Sequence, residues 1–174
     1  RFCEQKLFLE NNPNISLLGI KSMLNFFNSS GEKVRSLSSQ GPLSNAAVIA
    51  ELKKCNPIVH GSIMFRRKCF QDVGGYDEAL IVAQDFGLYM KFYRFGFGLE
   101  IIQGPEHSHD FWEGSSNTLL KNKLSRWNAM KLRLKYFSFY DYLSAPFILF
   151  FIKDAALIVL PSFLISWVRG ILVR

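Results

Sequence analysis

The feature that most restricts how this chain can fold is a pair of glycines, Gly74 and Gly75, placed shortly before an acidic residue that opens an apolar segment. Paired glycines suit a turn with positive φ or a close approach of backbone to a ligand. From residue 86 to residue 95 the aromatic and aliphatic side chains recur at helical rather than alternating spacing. The pattern therefore predicts a glycine turn followed by a helix, with Asp85 at or near the helix N-terminus. That carboxylate is either a helix N-cap or a functional group held at the rim of a pocket.

The composition fits one medium-sized folded domain, or a domain with an appendage. The chain has 174 residues, of which 49% are hydrophobic and 20% are charged, so it can bury a substantial core and is not a disordered chain. Its three cysteines are far apart and in no metal-ligand spacing, which is typical of reduced thiols in a cytosolic protein. The sequence begins at Arg1 without an apolar leader, so we expect a fragment or a processed product.

Positive charge is concentrated toward the C-terminus. Residues 1–118 contain equal numbers of basic and acidic side chains, so the formal net charge of +7 belongs to residues 119–174. Residues 119–140 interleave lysines and arginines with apolar residues three or four positions apart, which predicts a basic amphipathic helix. Two apolar runs follow at 146–152 and 155–168, separated by Lys153 and Asp154.

This C-terminal segment has more than one possible environment. Neither apolar run reaches the roughly 20 residues that a membrane-spanning helix needs. A peripheral or re-entrant hairpin, with the basic helix on anionic lipid, agrees better with the pattern. The alternative is an oligomer interface or a pair of core helices. We predict no nucleic-acid partner, because the segment lacks a recognisable binding motif and is too apolar.

Before residue 119 the sequence predicts an α/β organisation. Predicted helices cover residues 2–10, 46–54 and 66–73 and the segment that Asp85 opens, and predicted strands cover residues 15–20, 58–65 and 99–102. The strand at 58–65 is expected to be buried. Residues 29–45 are rich in serine and glycine, which predicts a loop with a short strand around Val34.

Three blocks in this region read NPIVHGSIMFRR at 56–67, GGYDE at 74–78 and AQDFGLYMK at 83–91. In this order and spacing they resemble family 2 glycosyltransferases of the GT-A fold. Members of that family have a strand similar to N-x-I-x-H-x-x-x-M-F-R, a G-G-Y-D-E loop and a helix similar to E-D-Y-D-L-W-L-R. The resemblance covers roughly residues 1–118. It implies the C-terminal portion of a GT-A fold, Rossmann-like with a mixed sheet, followed by an amphipathic and hydrophobic helical region.

The resemblance implies an inverting hexosyl transfer from a nucleotide-sugar to an acceptor hydroxyl, with Asp85 as the general base. It also implies a set of acceptor-binding residues, namely Gly74, Gly75, Tyr76, Asp77 and Gln84. The alternative for Tyr76 is an ordinary aromatic residue at the pocket rim, and the alternative for Asp77 is a turn-forming residue. Gln84 departs from the family, which usually has an acid before the base, but one carboxylate is enough for proton transfer.

The family implies a divalent metal, Mg or Mn, held by an Asp-x-Asp motif that this sequence does not contain. The resemblance therefore implies that the chain begins just after the nucleotide-binding half of the transferase. His109 takes the histidine position of a family Tyr-Arg-x-His block, which makes it a candidate metal or diphosphate contact; otherwise it is an ordinary loop histidine. His60, in the predicted strand, is interpreted as a core or supporting histidine.

We expect residues 1–118 to be the acceptor-side half of a glycosyltransferase and residues 119–174 to attach it to the cytoplasmic face of a membrane. The substrates would be a nucleotide-sugar and a saccharide or lipid-linked saccharide, in the synthesis of a cell-surface polysaccharide or glycolipid. The alternative function is a non-catalytic transferase remnant that serves membrane attachment or subunit assembly.

Overall fold

The computed structural model describes residues 1–104, 107–112, 119–138 and 145–159 and has a mixed α/β fold. The elements in chain order are α1 (Phe2–Asn11), β1 (Ile15–Ile20), β2 (Met23–Phe27), β3 (Lys33–Ser38), α2 (Asn45–Leu52), β4 (Met64–Phe65), α3 (Arg67–Asp72), α4 (Gln84–Arg94), β5 (Gly98–Ile102), β6 (Ser108–Trp112), α5 (Leu119–Tyr136) and α6 (Ala145–Val159). The sequence predictions for α1 to α4, β1 and β5 are confirmed within two residues at each end. The predicted basic helix is confirmed as α5 but ends at Tyr136, before the predicted residue 140; residues 139 and 140 lie outside the described residues.

A three-stranded sheet forms the centre of the molecule. Its order is β4-β1-β5, with β1 antiparallel to β4 and parallel to β5. Every residue of β1 is buried, as expected for a strand that has neighbours on both edges and packing on both faces. Helix α4 contributes a large part of the core, including Phe86, Leu88, Tyr89, Met90 and Phe92. The helix that Asp85 opens is therefore fixed against the central sheet.

A second small sheet has the order β3-β2-β6, and its middle strand was not predicted from the sequence. β2 pairs antiparallel with β3 and parallel with β6. Asn28 organises the connection between β2 and β3, because its Oδ1 accepts hydrogen bonds from the backbone N–H groups of Ser30 (3.1 Å) and Glu32 (2.8 Å). This side-chain turn converts most of the expected loop into a hairpin.

The prediction of one buried strand across residues 58–65 is wrong. A 3₁₀ turn occupies His60–Ser62, and only Met64–Phe65 pairs as a strand. The backbone of this turn is satisfied without a sheet ladder, since the Ser62 hydroxyl donates to the Val59 carbonyl (2.7 Å) and Gln5 Nε2 donates to the Ser62 carbonyl (2.8 Å). The turn leaves His60 exposed at the surface.

Helices α5 and α6 are joined by a buried ionic cluster. Asp154 on α6 is 6% exposed and accepts hydrogen bonds from Arg126 Nη1 (2.9 Å) and Arg133 Nη1 (2.8 Å) on α5. The polar interruption between the two apolar runs of the sequence is thus a packing contact. Among the described residues, no helix is both long and apolar enough to cross a bilayer. Residues 160–174, which include much of the second apolar run, lie outside the described part of the chain.

Candidate active site

Asp85 lies in the first turn of α4, but it does not cap the helix. The N-cap position is Ala83, and no side chain makes a capping hydrogen bond there. Instead, the Asp85 Oδ2 atom accepts a hydrogen bond of 2.9 Å from Asn56 Nδ2. Ala83 has φ 65°, a left-handed conformation that costs an L-residue about 1–2 kcal/mol. The interpretation of Asp85 as a simple N-cap is therefore wrong, and the carboxylate is half-buried and held by a side chain from a distant segment.

The glycine pair forms the predicted turn and fixes the loop that follows it. Gly74 has φ 74° and Gly75 has φ 62°, and a Cβ on Gly75 would lie 3.2 Å from the Phe70 ring. The Gly75 carbonyl accepts a hydrogen bond of 2.8 Å from Lys91 Nζ on α4. The turn is therefore tied to the helix that carries Asp85. Because of its conformation and this close contact, position 75 tolerates glycine best.

Asp77 and Gln84 both stabilise the loop between the glycine turn and α4. The Asp77 Oδ1 atom accepts a hydrogen bond of 3.1 Å from the backbone N–H of Ala79, which is the turn-forming role proposed as its alternative. Gln84 Nε2 donates to the Ile81 carbonyl at 2.9 Å. Both side chains also line the cavity described below.

His60 bridges two tyrosines beside Asp85. Its Nε2 atom is 3.2 Å from the Tyr76 hydroxyl, and its Nδ1 atom is 2.9 Å from the Tyr89 hydroxyl. A neutral imidazole has one donor and one acceptor nitrogen, so one phenol donates to the ring while the other accepts from it. Burial raises the pKa of Tyr89 well above its ordinary value, and the negative charge of Asp85 adds to the increase. Burial and the Asp85 charge also raise the pKa of Tyr76, so both phenols stay protonated at neutral pH.

These residues surround a cavity of about 670 Å³, which we call the acidic cavity. It is lined by His60, Tyr76, Asp77, Glu78, Leu80, Gln84 and Asp85. Four of the residues selected from the sequence thus meet in one place, whereas Gly74 and Gly75 shape the loop without lining the cavity. Sequence reasoning did not select Asn56 and His60 as site residues, although both lie in the 56–67 block that carries the family resemblance.

His109 lies outside this cavity, and its assignment to a loop is wrong, because it belongs to β6. A Cβ on Gly61 would lie 3.5 Å from His107 Nε2 and 4.0 Å from His109 Nδ1, so both rings face that glycine. His107 Nδ1 is 2.8 Å from the Ser22 hydroxyl. Burial lowers the pKa of His107, and the positive charge of Arg1 lowers it further. No group of three or more His, Cys, Asp or Glu side chains within the described ranges is placed to hold a metal ion.

The three sequence blocks that carry the family resemblance meet at the acidic cavity. To its lining the first block supplies His60, the second Tyr76 and Asp77, and the third Gln84 and Asp85. Asn56 of the first block holds Asp85 from outside this lining. Comparison with models of known protein families and with curated proteins gives no match to this chain.

Proposed function

We propose that this chain is part of an inverting glycosyltransferase that resembles family 2 enzymes of the GT-A fold, with Asp85 as the general base. The observation that carries the proposal is the Asp85 carboxylate, fixed by Asn56 and facing a cavity whose volume of about 670 Å³ suits a small ligand. The parallel pairing of β1 with β5, with α4 packed against the sheet, supports the proposed fold.

In the proposed reaction, the acceptor hydroxyl loses its proton to an Asp85 carboxylate oxygen while the hydroxyl oxygen attacks the anomeric carbon of the donor sugar. The new glycosidic bond forms as the bond between that carbon and the diphosphate oxygen breaks. The nucleoside diphosphate leaves from the opposite face and keeps the electron pair. Proton transfer by a positioned base contributes about 10²–10⁴-fold to such a reaction.

The other side chains of the acidic cavity suit a sugar. Tyr76 offers a neutral phenol because its pKa is raised, and its ring provides an apolar face. Asp77 and Glu78 can accept hydrogen bonds from sugar hydroxyls, and their charge disfavours a phosphate group at the same place. The acidic cavity therefore supports binding of an uncharged saccharide next to the base.

The Mg or Mn ion and the nucleotide-sugar that the resemblance implies remain predictions. The described residues do not by themselves provide a set of three His, Cys, Asp or Glu ligands for such an ion. His109, with His107 beside it, is the position at which the chain would approach the metal or the diphosphate.

The C-terminal helices support a position at the cytoplasmic membrane surface and a lipid-linked acceptor. On α6 an apolar stripe is exposed, with Leu149 at 67%, Ile152 at 60% and Val159 at 79%. These positions follow helical spacing. Lys131 and Lys135 on α5 are exposed as well, and exposed cationic side chains are attracted to anionic lipid.

The experiment that tests this proposal is the Asp85→Asn substitution in the full-length protein. Release of nucleoside diphosphate is measured with a panel of nucleotide-sugars and with membranes as the source of acceptor, and donor affinity is measured separately. We expect Asp85→Asn to abolish transfer while donor affinity is retained. The matched control is Asp72→Asn, an exposed carboxylate that pairs with Lys68 on the surface and should leave transfer unchanged. Undiminished transfer by Asp85→Asn would refute the assignment of the base, and no transfer by any form would favour the non-catalytic alternative.

A further inference from the structure

A second cavity borders Asp85, where α5 and α6 lie beside residues 54–56 and the start of α4. Its volume is about 300 Å³, and we call it the cationic cavity. Four basic side chains and two carboxylates are among its lining residues, namely Lys54, Arg126, Arg133, Lys153, Asp85 and Asp154. Asp85 and no other residue of the acidic cavity also lines the cationic cavity.

The arginines of the cationic cavity are held in place by the protein itself. Arg133 donates to Asp154 at 2.8 Å and to the Lys54 carbonyl at 2.7 Å, and its guanidinium carbon lies 5.3 Å from the centroid of the Phe86 ring. Arg126 donates to the other oxygen of Asp154. Because these contacts fix the guanidinium groups before any ligand arrives, binding an anion here requires little ordering of side chains.

The two lysines of the lining keep contact with solvent. Lys153 is exposed, and Lys54 keeps about a third of its side chain accessible while it pairs with Glu51 at 2.7 Å. A lysine ammonium on a flexible stem is a common ligand for phosphate. Four basic side chains and two carboxylates line the cavity, and Glu51 adds a third carboxylate beside Lys54. The local charge therefore stays positive and favours an oxyanion, whereas Asp77 and Glu78 in the acidic cavity repel one.

We propose that the cationic cavity binds a phosphate group of the acceptor substrate, which places the reacting sugar hydroxyl of that acceptor at Asp85. The acceptor is then a phosphorylated saccharide or a saccharide linked to a lipid through phosphate. The phosphate contributes binding energy away from the reacting atoms and orients the hydroxyl. The position of the hydroxyl rests on the proposed function, but the binding of phosphate does not.

The test measures the affinity of the full chain for inorganic pyrophosphate by isothermal titration calorimetry at low salt. The Lys54→Gln/Lys153→Gln double variant removes two charges from the cavity. The Lys6→Gln/Lys68→Gln double variant removes two exposed charges elsewhere, each paired with a carboxylate as Lys54 is, and is the matched control. We expect the cavity variant to bind about tenfold more weakly, as two partly exposed contacts predict, and the control to bind within about twofold of the wild type. Equal weakening by both variants, or by neither, would overturn the proposal.

Two further measurements identify the source of the phosphate and separate this proposal from the proposed function. Retained binding of the cavity variant to phosphatidylglycerol vesicles supports a substrate phosphate. Loss of vesicle binding without any loss of pyrophosphate binding would overturn the proposal in favour of a lipid headgroup. Asp85→Asn removes a negative charge from the lining, so it should tighten pyrophosphate binding about threefold whether or not transfer is lost. A phosphate site in a protein whose Asp85→Asn variant still transfers sugar would refute the base alone.

Discussion

The Asp154→Asn substitution should lower the free energy of unfolding by about 3 kcal/mol, because it leaves a buried arginine without its counter-ion. Asp154 is 6% exposed and accepts one hydrogen bond from Arg126 and one from Arg133. The two arginines differ in their surroundings, since the side chain of Arg126 is 33% exposed and that of Arg133 is 5% exposed. Most of the loss therefore comes from Arg133.

The magnitude follows from the two ion pairs taken separately. Removing one partner of a buried pair costs about 3–5 kcal/mol, which applies to Arg133. An accessible pair contributes about 0–1 kcal/mol, which applies to Arg126. Asparagine has the size of aspartate and keeps one acceptor oxygen, so the expected loss lies at the low end of the combined range.

Urea unfolding measures this loss, with circular dichroism and the fluorescence of Trp127, which is exposed on α5 next to Arg126. The matched control is Asp72→Asn, whose partner Lys68 has a side chain that is 84% exposed, so it should cost less than about 1 kcal/mol. The Arg133→Met/Asp154→Leu variant removes both charges and should regain most of the loss. If Asp154→Asn destabilises the protein no more than Asp72→Asn does, the ionic cluster does not hold α6 against α5.

Three further outcomes follow from the site and the C-terminal helices. Asn56→Ala removes the hydrogen bond to Asp85 from an exposed residue, so transfer should fall about tenfold; an unchanged kcat would contradict the positioning role. The same change also removes the hydrogen bond that Asn56 Oδ1 accepts from the Ile58 N–H at 3.1 Å, so the free energy of unfolding should fall by about 1 kcal/mol. Because the pKa of His107 is lowered in the folded state, its stabilisation is present above the ordinary histidine pKa and is lost as the pH falls below it. His107→Gln should therefore flatten the dependence of the free energy of unfolding on pH between about 7.5 and 5. If the pH dependence is the same in the variant, the titration of His107 is not its cause. Ile152→Asp on the α6 stripe should lower the affinity for phosphatidylglycerol vesicles, measured by co-sedimentation, about tenfold or more. Ile81→Asp, at an exposed isoleucine elsewhere, should leave this affinity unchanged. Equal effects of the two substitutions would argue against docking by α6.

Local patterns were enough to predict much of the fold. The helical spacing after Asp85 and the glycine pair before it predicted α4 and the turn at Gly74 and Gly75, and both are confirmed. Apolar runs bounded by turn residues predicted β1 and β5. In these segments the residues that determine the backbone conformation are neighbours in sequence, so the local sequence is enough to predict the element.

The elements that were missed depend on distant partners. β2 is stabilised by pairing with β6, and the Asn25 side chain donates to Asp110, 85 residues away. The turn at His60–Ser62 depends on Gln5, which is 57 residues from Ser62. The hydrophobic pattern alone favoured a continuous strand there. It carries no sign of the side-chain hydrogen bond from Gln5 in α1, which helps to satisfy the backbone of the turn without strand pairing.

In the candidate site, too, some residues could be predicted from the local sequence and others depend on distant segments. Sequence blocks identified Tyr76, Asp77, Gln84 and Asp85, and the structure brings these four together around one cavity. The partners that give Asp85 and Tyr76 their orientation, Asn56 and His60, could be recognised only after the chain was folded. The cationic cavity could not be predicted, since it forms from residues 54–56, α4, α5 and α6 together.

The central claim, that Asp85 removes a proton from the acceptor, is tested most directly by comparing an acceptor hydroxyl with a thiol at the same position. A thiol with a pKa of roughly 8.5 is half ionised when the pH equals that pKa, so it needs little help from a base. At pH 8.5, Asp85→Asn should lower the kcat for the hydroxyl acceptor by about 10²–10⁴-fold but the kcat for the thiol acceptor far less. Equal losses with both acceptors would contradict the account and would make Asp85 a structural residue.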